Sequence, residues 1–272
     1  MTQYNASAWL VDRHVAAGLG ARTAIRYGGV PITYAEVADA AARAQAGLTA
    51  LGLQAGDRVA IVANDEPGFV AWYLGAMRGG FVPIPLSTML GAAELAPIIA
   101  DSGAVAVVVS GAYAGHLATL AAGCPDLRHA IVLGDAAGAG RLAVHAADTF
   151  DPVAAAALDP AATTSDTPAF WLYSSGTTGR SKGVIHTHAH LQATADTYAA
   201  SVLRTTPDDR TYSVAKLFFA FGLGNSLTFP FATGATTILD PQRPTPAGVL
   251  DTIQAEQPTL FFASPGFMAA LL

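Results

Sequence analysis

Three runs of this chain are apolar at nearly every position: Arg58 to Ala63 after its first residue, Phe81 to Leu86, and Val105 to Val109. A strand with one wet face alternates apolar and polar residues, whereas an uninterrupted apolar run belongs to a strand covered on both faces. The stretches between them, Pro67 to Gly79 and Ala92 to Ser102, have the length and composition of helices. Buried strands separated by helices imply an α/β fold with mostly parallel sheets flanked by helices.

The remaining elements fit that class. Ser7 to Gly18 reads as a helix closed by glycine, and Thr23 to Tyr27 with Val30 to Tyr34 as a hairpin turning on Gly28-Gly29. Thr33 and Glu36 have capping-box spacing and open an alanine-rich helix that runs to Gly52. Tyr113 to Ala122 is an expected helix and Ile131 to Leu133 an expected strand. From Asp135 to Pro168 the chain turns to Ala, Gly, Asp, Thr and Pro, the composition of a linker. Two lobes follow: residues 1–160, and residues 161–272 with strands at Phe170 to Tyr173, Thr211 to Val214, Ala235 to Leu239 and Thr259 to Ala263. Pro265 to Leu272 opens an apolar helix at the very end, which points to a chain that is truncated or completed by another polypeptide.

Composition excludes several classes. A chain that is 52% hydrophobic and 12% charged is neither disordered nor a coiled coil. Its net charge of −6 argues against a general nucleic-acid binder, which needs a broad basic surface. A single cysteine, Cys124, excludes a disulfide framework and a thiolate-rich metal site. The N-terminus has no basic region followed by an apolar stretch, so no signal peptide is read and a cytoplasmic location is expected. The uncharged run from Leu217 to Leu239 is long enough to span a bilayer. It is broken by Asn225, Ser226, Pro230 and Gly234, and divides into a helix-like part to about Thr233 and a β-branched part, so a buried helix plus strand is expected rather than a membrane span.

The strongest local signal is Tyr173-Ser174-Ser175-Gly176-Thr177-Thr178-Gly179-Arg180-Ser181-Lys182-Gly183-Val184. Glycines allow the backbone to approach an anion closely, hydroxyls add rotatable donors, and Lys182 supplies a mobile point charge. That is the inventory of a triphosphate cradle. The order of residues is not that of a Walker A loop, in which Gly precedes Lys and Ser or Thr follows it. Gly138, Gly140 and Ala143 match a dinucleotide fingerprint only loosely, and no GxSxG elbow occurs. The bland alternative is a flexible surface turn, disfavoured by the apolar stretches on both sides. Of the 14 basic residues only Lys182 and Lys216 are lysine.

The loop resembles the phosphate-binding signature of the adenylate-forming superfamily, roughly (S/T)SG(S/T)TGxPKG, with Ser181 where proline usually stands. Thr33-Tyr34 with Glu36, Gly56-Asp57-Arg58-Val59 and Gly79 to Leu86 also look like that superfamily's N-terminal half. Lys216 to Asn225, with His186-Thr187-His188, is similar to the benzoate-CoA ligase branch. In that branch the corresponding segment lines the aryl pocket, which makes Ala220, Phe221 and Gly222 the candidates here; the branch usually carries tyrosine where Phe221 stands.

The resemblance implies a reaction. A benzoate-like carboxylate attacks the α-phosphate of ATP with Mg²⁺, giving an acyl-adenylate and pyrophosphate, and coenzyme A then displaces AMP to form a thioester. Ser174, Ser175, Gly176, Thr177, Thr178, Gly179, Lys182 and Gly183 would bind the phosphates, and Lys182 would act catalytically. No protein metal ligand is implied. The superfamily's later adenine, ribose and hinge motifs do not occur in these residues, so little complete turnover is expected of this chain alone. Two other readings stand: a non-catalytic nucleotide-binding module, and an adenylation domain that loads a carrier protein. The sequence is compatible with a homodimer.

Simpler readings accompany the remaining features. His186, His188 and His190 could approach a metal, but without a nearby carboxylate or thiol His186 and His188 more readily order the segment behind the loop. Phe218 is expected in the core. Lys216 is either a pocket-rim cation or a surface residue, and Cys124 is expected to be inert.

Overall fold

The computed structural model describes residues 2–136, 138–150, 158–175 and 181–272. The chain enters through a helix that is π-wound over Ala8–Asp12 and α-helical over Arg13–Ala16 (α1). A hairpin of β1 (Thr23–Tyr27) and β2 (Val30–Thr33) leads into α2 (Tyr34–Ala50). The expected capping box starts that helix: the Glu36 N–H donates to Thr33 Oγ1 at 3.2 Å, and the Thr33 N–H donates to Glu36 Oε2 at 2.7 Å.

Next come β3 (Arg58–Val62), α3 (Pro67–Arg78), β4 (Val82–Pro85), α4 (Ala92–Ser102), β5 (Ala106–Ser110), α5 (Leu117–Gly123), β6 (His129–Leu133) and β7 (Ala143–Ala146). Their strands form one parallel sheet in the order β4-β3-β5-β6-β7. It is covered on both faces, as the apolar runs require. Val59, Ile61, Ala106, Val108 and Ile131 join one buried cluster, while Ala60, Val62, Val107, Val109, Ala130 and Val132 join another. Alternate residues of each strand thus feed opposite cores. On the first face α2 and α3 cross so closely that a Cβ on Gly75 would lie 2.5 Å from Ala41 O and from Ala44 Cβ.

The second half carries β8 (Pro168–Ser175), β9 (Ser181–Thr187), α6 (His188–Thr194) with a π-wound continuation at Ala195–Leu203, β10 (Arg210–Ser213), α7 (Ala220–Leu223) and α8 (Phe229–Thr233). After them come β11 (Thr236–Leu239), α9 (Pro246–Glu256), β12 (Leu260–Phe262) and α10 (Pro265–Leu271). The run from Leu217 to Leu239 is short helical pieces followed by β11, and among the described residues no helix is long and apolar enough to cross a membrane.

Two sequence expectations need correction. The segment expected to be a linker contains β7, which pairs in parallel with β6 from His129↔Ala143 to Val132↔Ala146. Leu158 and Asp159 of the same segment lie against the first lobe: Arg78 Nη1 donates to Leu158 O at 2.8 Å and Gln45 Nε2 donates to Asp159 O at 2.9 Å. The sheets also cross the division expected at residue 160. β1 and β2 extend the second sheet, ordered β12-β10-β11-β1-β2, through parallel pairing of β1 with β11. Residues from both halves share one core: Leu10, Ile25 and Phe69 pack in the same buried cluster as Phe170, Leu217 and Phe231.

Candidate active site

β8 and β9 form a two-stranded antiparallel ribbon that carries the two ends of the Tyr173–Val184 motif. Ser174 pairs with Lys182, Tyr173 with Gly183, and Ser175 with Ser181. Gly176, Thr177, Thr178 and Gly179 lie outside the described residues. The ribbon therefore brings Lys182 beside Ser174 at the base of the tip, and both are exposed. Gly183 has a steric reason to be glycine: a Cβ there would meet Tyr173 Cζ at 3.2 Å and Trp171 Cε3 at 3.3 Å. The two rings cover the stem, and the Tyr173 hydroxyl donates to Asp101 Oδ2 of α4 at 2.7 Å. Burial, with Asp101 second, pushes that phenol upward.

The histidines behind the ribbon take separate packing roles. His186 stacks on Phe170, with centroids 4.6 Å apart and planes 5° from parallel. His190 Nδ1 accepts the Thr187 N–H at the start of α6, at 3.3 Å. His188 is fully buried, and its Nδ1 accepts the Ala6 N–H at 3.0 Å. Burial lowers its pKa to about 4, so it is neutral at pH 7.

The aryl-pocket candidates start α7. Ala220 and Phe221 face outward, Phe221 being 49% exposed and Phe219 47%, while Phe218 is buried in the core. The Phe221 ring stands edge-on to Phe262 with centroids 6.5 Å apart. Gly222 is buried against the preceding turn, where a Cβ would overlap the carbonyl oxygens of Ala215 and Lys216. Phe170 of the ribbon stem and Leu217 and Leu223 beside the aryl turn share one buried cluster. Ribbon and turn thus grow from the same core, although no hydrogen bond or ring contact among the described residues joins Lys182 to Phe221.

A cavity of about 610 Å³ opens next to this turn, lined in part by Asp65, Tyr113, Lys216, Phe218, Phe219 and Arg243. It lies beyond the carboxyl ends of β3 and β10, the edge at which open parallel sheets place their sites. Lys216 is a pocket-rim cation: its ammonium donates to Asp240 O at 2.6 Å. Asp65 carried no signal in the sequence beyond a charge following an apolar strand. It is 3% exposed and accepts the Leu217 N–H at 3.0 Å. Burial is the largest influence on its carboxyl and raises the pKa to about 6, against the opposing pull of Lys216. Asn225, which breaks the apolar run, is 1% exposed, and its Oδ1 has no partner among the described residues.

The family model described as "AMP-binding enzyme" matches residues 12–272. The chain belongs to the AMP-binding enzyme family. Within that family it is similar to the benzoate–CoA ligase of Thauera aromatica, with 40% identity over 271 residues that cover 99% of this chain and 50% of the relative. The 4-hydroxybenzoate–CoA/benzoate–CoA ligase of Rhodopseudomonas palustris is 39% identical over all of this chain and 50% of its own length. Among solved structures, a benzoate CoA ligase from Burkholderia xenovorans superposes with a TM-score of 0.85 at 32% identity, over 98% of this chain and 52% of that one. The anthranilate CoA ligase AuaEII, solved with anthranoyl-AMP, gives 0.90 at 28% identity, over 98% and 51%. The chain spans about half the length of these AMP-binding relatives.

Proposed function

We propose that this chain supplies the phosphate-gripping and acyl-binding half of an ATP-dependent aryl-CoA ligase. In this reading a benzoate-like carboxylate is converted to its acyl-adenylate and then to a thioester with coenzyme A. The observation that carries the reading is the combination of a Gly/Ser/Thr ribbon tip flanked by Lys182 with an exposed aromatic turn at Phe219 to Phe221, in a chain 40% identical to a benzoate–CoA ligase.

The chemical obstacle is repulsion between an anionic nucleophile and an anionic triphosphate. Lys182 and the hydroxyl of Ser174 stand side by side on the ribbon, so a triphosphate lying along the tip meets a cation and a donor together. Ser175, Thr177, Thr178 and the backbone N–H groups of Gly176, Gly179 and Gly183 complete the cradle in this reading. The lysine stabilises charge that grows on the departing pyrophosphate, and such an interaction accelerates the step because it strengthens in the transition state. Magnesium enters as part of the ATP substrate. The Ala220-Phe221-Gly222 turn offers an apolar wall to the aromatic ring, and holding the acid there converts an encounter between two anions into an oriented reaction within one complex.

Exchange of pyrophosphate into ATP, driven by benzoate and measured in the full-length natural polypeptide, tests the reading. Lys182→Ala is expected to lower the exchange rate at least tenfold, about 1.4 kcal/mol of transition-state stabilisation. An unchanged rate removes Lys182 from its assigned role, and no exchange with any aromatic acid in the wild type removes the function.

A further inference from the structure

The buried Asp65 carboxylate and the turn carrying Phe219, Ala220, Phe221 and Gly222 are 152 residues apart at the Asp65–Leu217 contact, and they belong to different sheets. Asp65 lies just past the end of β3 in the first sheet, and Leu217 just past the end of β10 in the second. We propose that Asp65 is a positioning residue for the aryl end of the site, its carboxylate acting as a fixed acceptor that sets where the Leu217 backbone, and with it the Phe219–Gly222 turn, stands relative to the first sheet. The proposal rests on the reading of that turn as the wall of the acyl pocket.

The post is rigid. On one side of Asp65 the Tyr113 hydroxyl donates to Asn64 Oδ1 at 2.8 Å, and the Asn64 N–H donates to Ser110 Oγ at 2.9 Å. On the other side the Ser110 hydroxyl donates to the Glu66 carboxylate. The loop is thus tied to β5 and the turn after it, leaving the carboxylate little freedom.

The object it holds is rigid too. Leu217 is fully buried. The Phe219 N–H donates to Lys216 O at 3.0 Å, and the Leu223 N–H donates to Phe219 O at 2.8 Å. Gly222 then packs on the carbonyls of Ala215 and Lys216 with no room for a side chain. These hydrogen bonds and the packing of Gly222 tie the Leu217 backbone to that of Phe221, so displacing Leu217 displaces the proposed aromatic wall.

A buried carboxylate is costly unless its acceptors are used. Here the hydrogen bond from Leu217 and the nearby charge of Lys216 offset part of that cost, while Asp240 opposes it. If the acceptor matters rather than the charge, asparagine serves as well as aspartate, because its amide oxygen accepts the same N–H.

The test compares wild type, Asp65→Asn and Asp65→Ala in the full-length natural polypeptide. The readouts are steady-state pyrophosphate exchange with benzoate and hydrogen exchange at the Leu217 amide. Asp65→Ala is expected to raise KM for benzoate about tenfold while kcat and KM for ATP stay within about threefold. Asp65→Asn is expected to keep all three near wild type, with the Leu217 amide still protected; in Asp65→Ala that protection falls at least about tenfold.

Should Asp65→Ala fail to fold, Asp65→Asn still decides. A large rise in KM with asparagine, or a Leu217 amide that is no better protected in wild type than in the exposed turns, overturns the proposal. Absence of exchange activity with every aromatic acid in wild type sinks the functional reading instead, and the Leu217 amide then settles whether Asp65 holds the turn.

Discussion

Tyr173 and Asp101 join the stem of the β8–β9 ribbon to helix α4 through a single hydrogen bond of 2.7 Å. Tyr173 immediately precedes Ser174, so this bond sets how the base of the tip meets the rest of the lobe. Tyr173→Phe keeps the ring that packs over Gly183 and removes only the donor. Asp101 is exposed and can turn to water, so the loss in stability is expected to be no more than about 1 kcal/mol. The exchange rate is expected to fall about threefold or more, because a looser cradle gives up part of its preorganisation. Urea denaturation alongside pyrophosphate exchange separates the two effects; an unchanged rate with lowered stability assigns the bond to the fold alone.

Gly222→Ala addresses the aryl turn by steric means. The new Cβ would overlap two backbone carbonyls, which cannot swing aside as a flexible side chain does. The start of α7 must therefore move. We expect a loss of about 2–3 kcal/mol, the scale of overpacking in a tight interior. A displaced Phe221 should also raise KM for the aromatic acid. Thermal unfolding within 1 °C of wild type, with about 2–4 °C expected per kcal/mol for a chain of this size, would falsify the packing argument.

How far the sequence revealed this structure depended on whether the signal was local. Uninterrupted runs such as Val105 to Val109 announced strands buried on two faces, and the Thr33–Glu36 box marked the start of α2 because each signal lies within a few residues. The strand Ala143–Ala146 gives little local signal: it is a four-residue edge strand in which Val144 is the one β-branched residue, set among two alanines and a histidine. The pairing of β1 with β11 was equally hidden, since sheet order depends on contacts more than two hundred residues apart. At the site, the loop from Tyr173 to Val184 was legible because its chemistry is concentrated in twelve consecutive positions. Asp65 was not. Nothing in Asn64-Asp65-Glu66 indicates which of its polar groups is buried; the partner that marks Asp65 is the Leu217 N–H, 152 residues away.

Asp65 and His188 have opposite linkage to pH. The Asp65 pKa rises on folding from 3.8 to about 6. The folded state then holds the extra proton between those values, so this group's contribution is full below about pH 4 and is lost as pH rises through 6. The His188 pKa falls on folding from 6.5 to about 4. There the unfolded state holds the extra proton, so its contribution is full above 6.5 and is lost as pH falls toward 4. In wild type the two trends oppose each other across pH 4 to 6. Asp65→Asn removes one of them, so the variant should gain on wild type as pH rises through that window, by on the order of 2 kcal/mol. Chemical denaturation of both proteins at pH 4, 5, 6 and 7 checks this. A difference that stays constant across the four values rules out a burial-shifted Asp65.

In the proposed acyl site, Phe221 would offer a substrate ring an aromatic face with no polar group. A hydroxylated ring pressed against that face loses a hydrogen bond to water and gains none from Phe221, at a cost of about 1–3 kcal/mol. Unsubstituted benzoate is therefore expected to be activated in preference to 4-hydroxybenzoate, by a factor of about ten or more in kcat/KM. Phe221→Tyr restores a donor and acceptor at the outer end of the ring. Because Phe221 is half exposed and meets Phe262 only edge-on, the added hydroxyl can be accommodated with little strain. The variant should narrow the preference at least about threefold, chiefly through KM for the hydroxylated acid, with KM for ATP unchanged. The measurement is pyrophosphate exchange with each acid, for wild type and variant, in the full-length natural polypeptide. An identical ratio in the two proteins places Phe221 away from the ring, and a parallel loss with both acids makes it a packing residue.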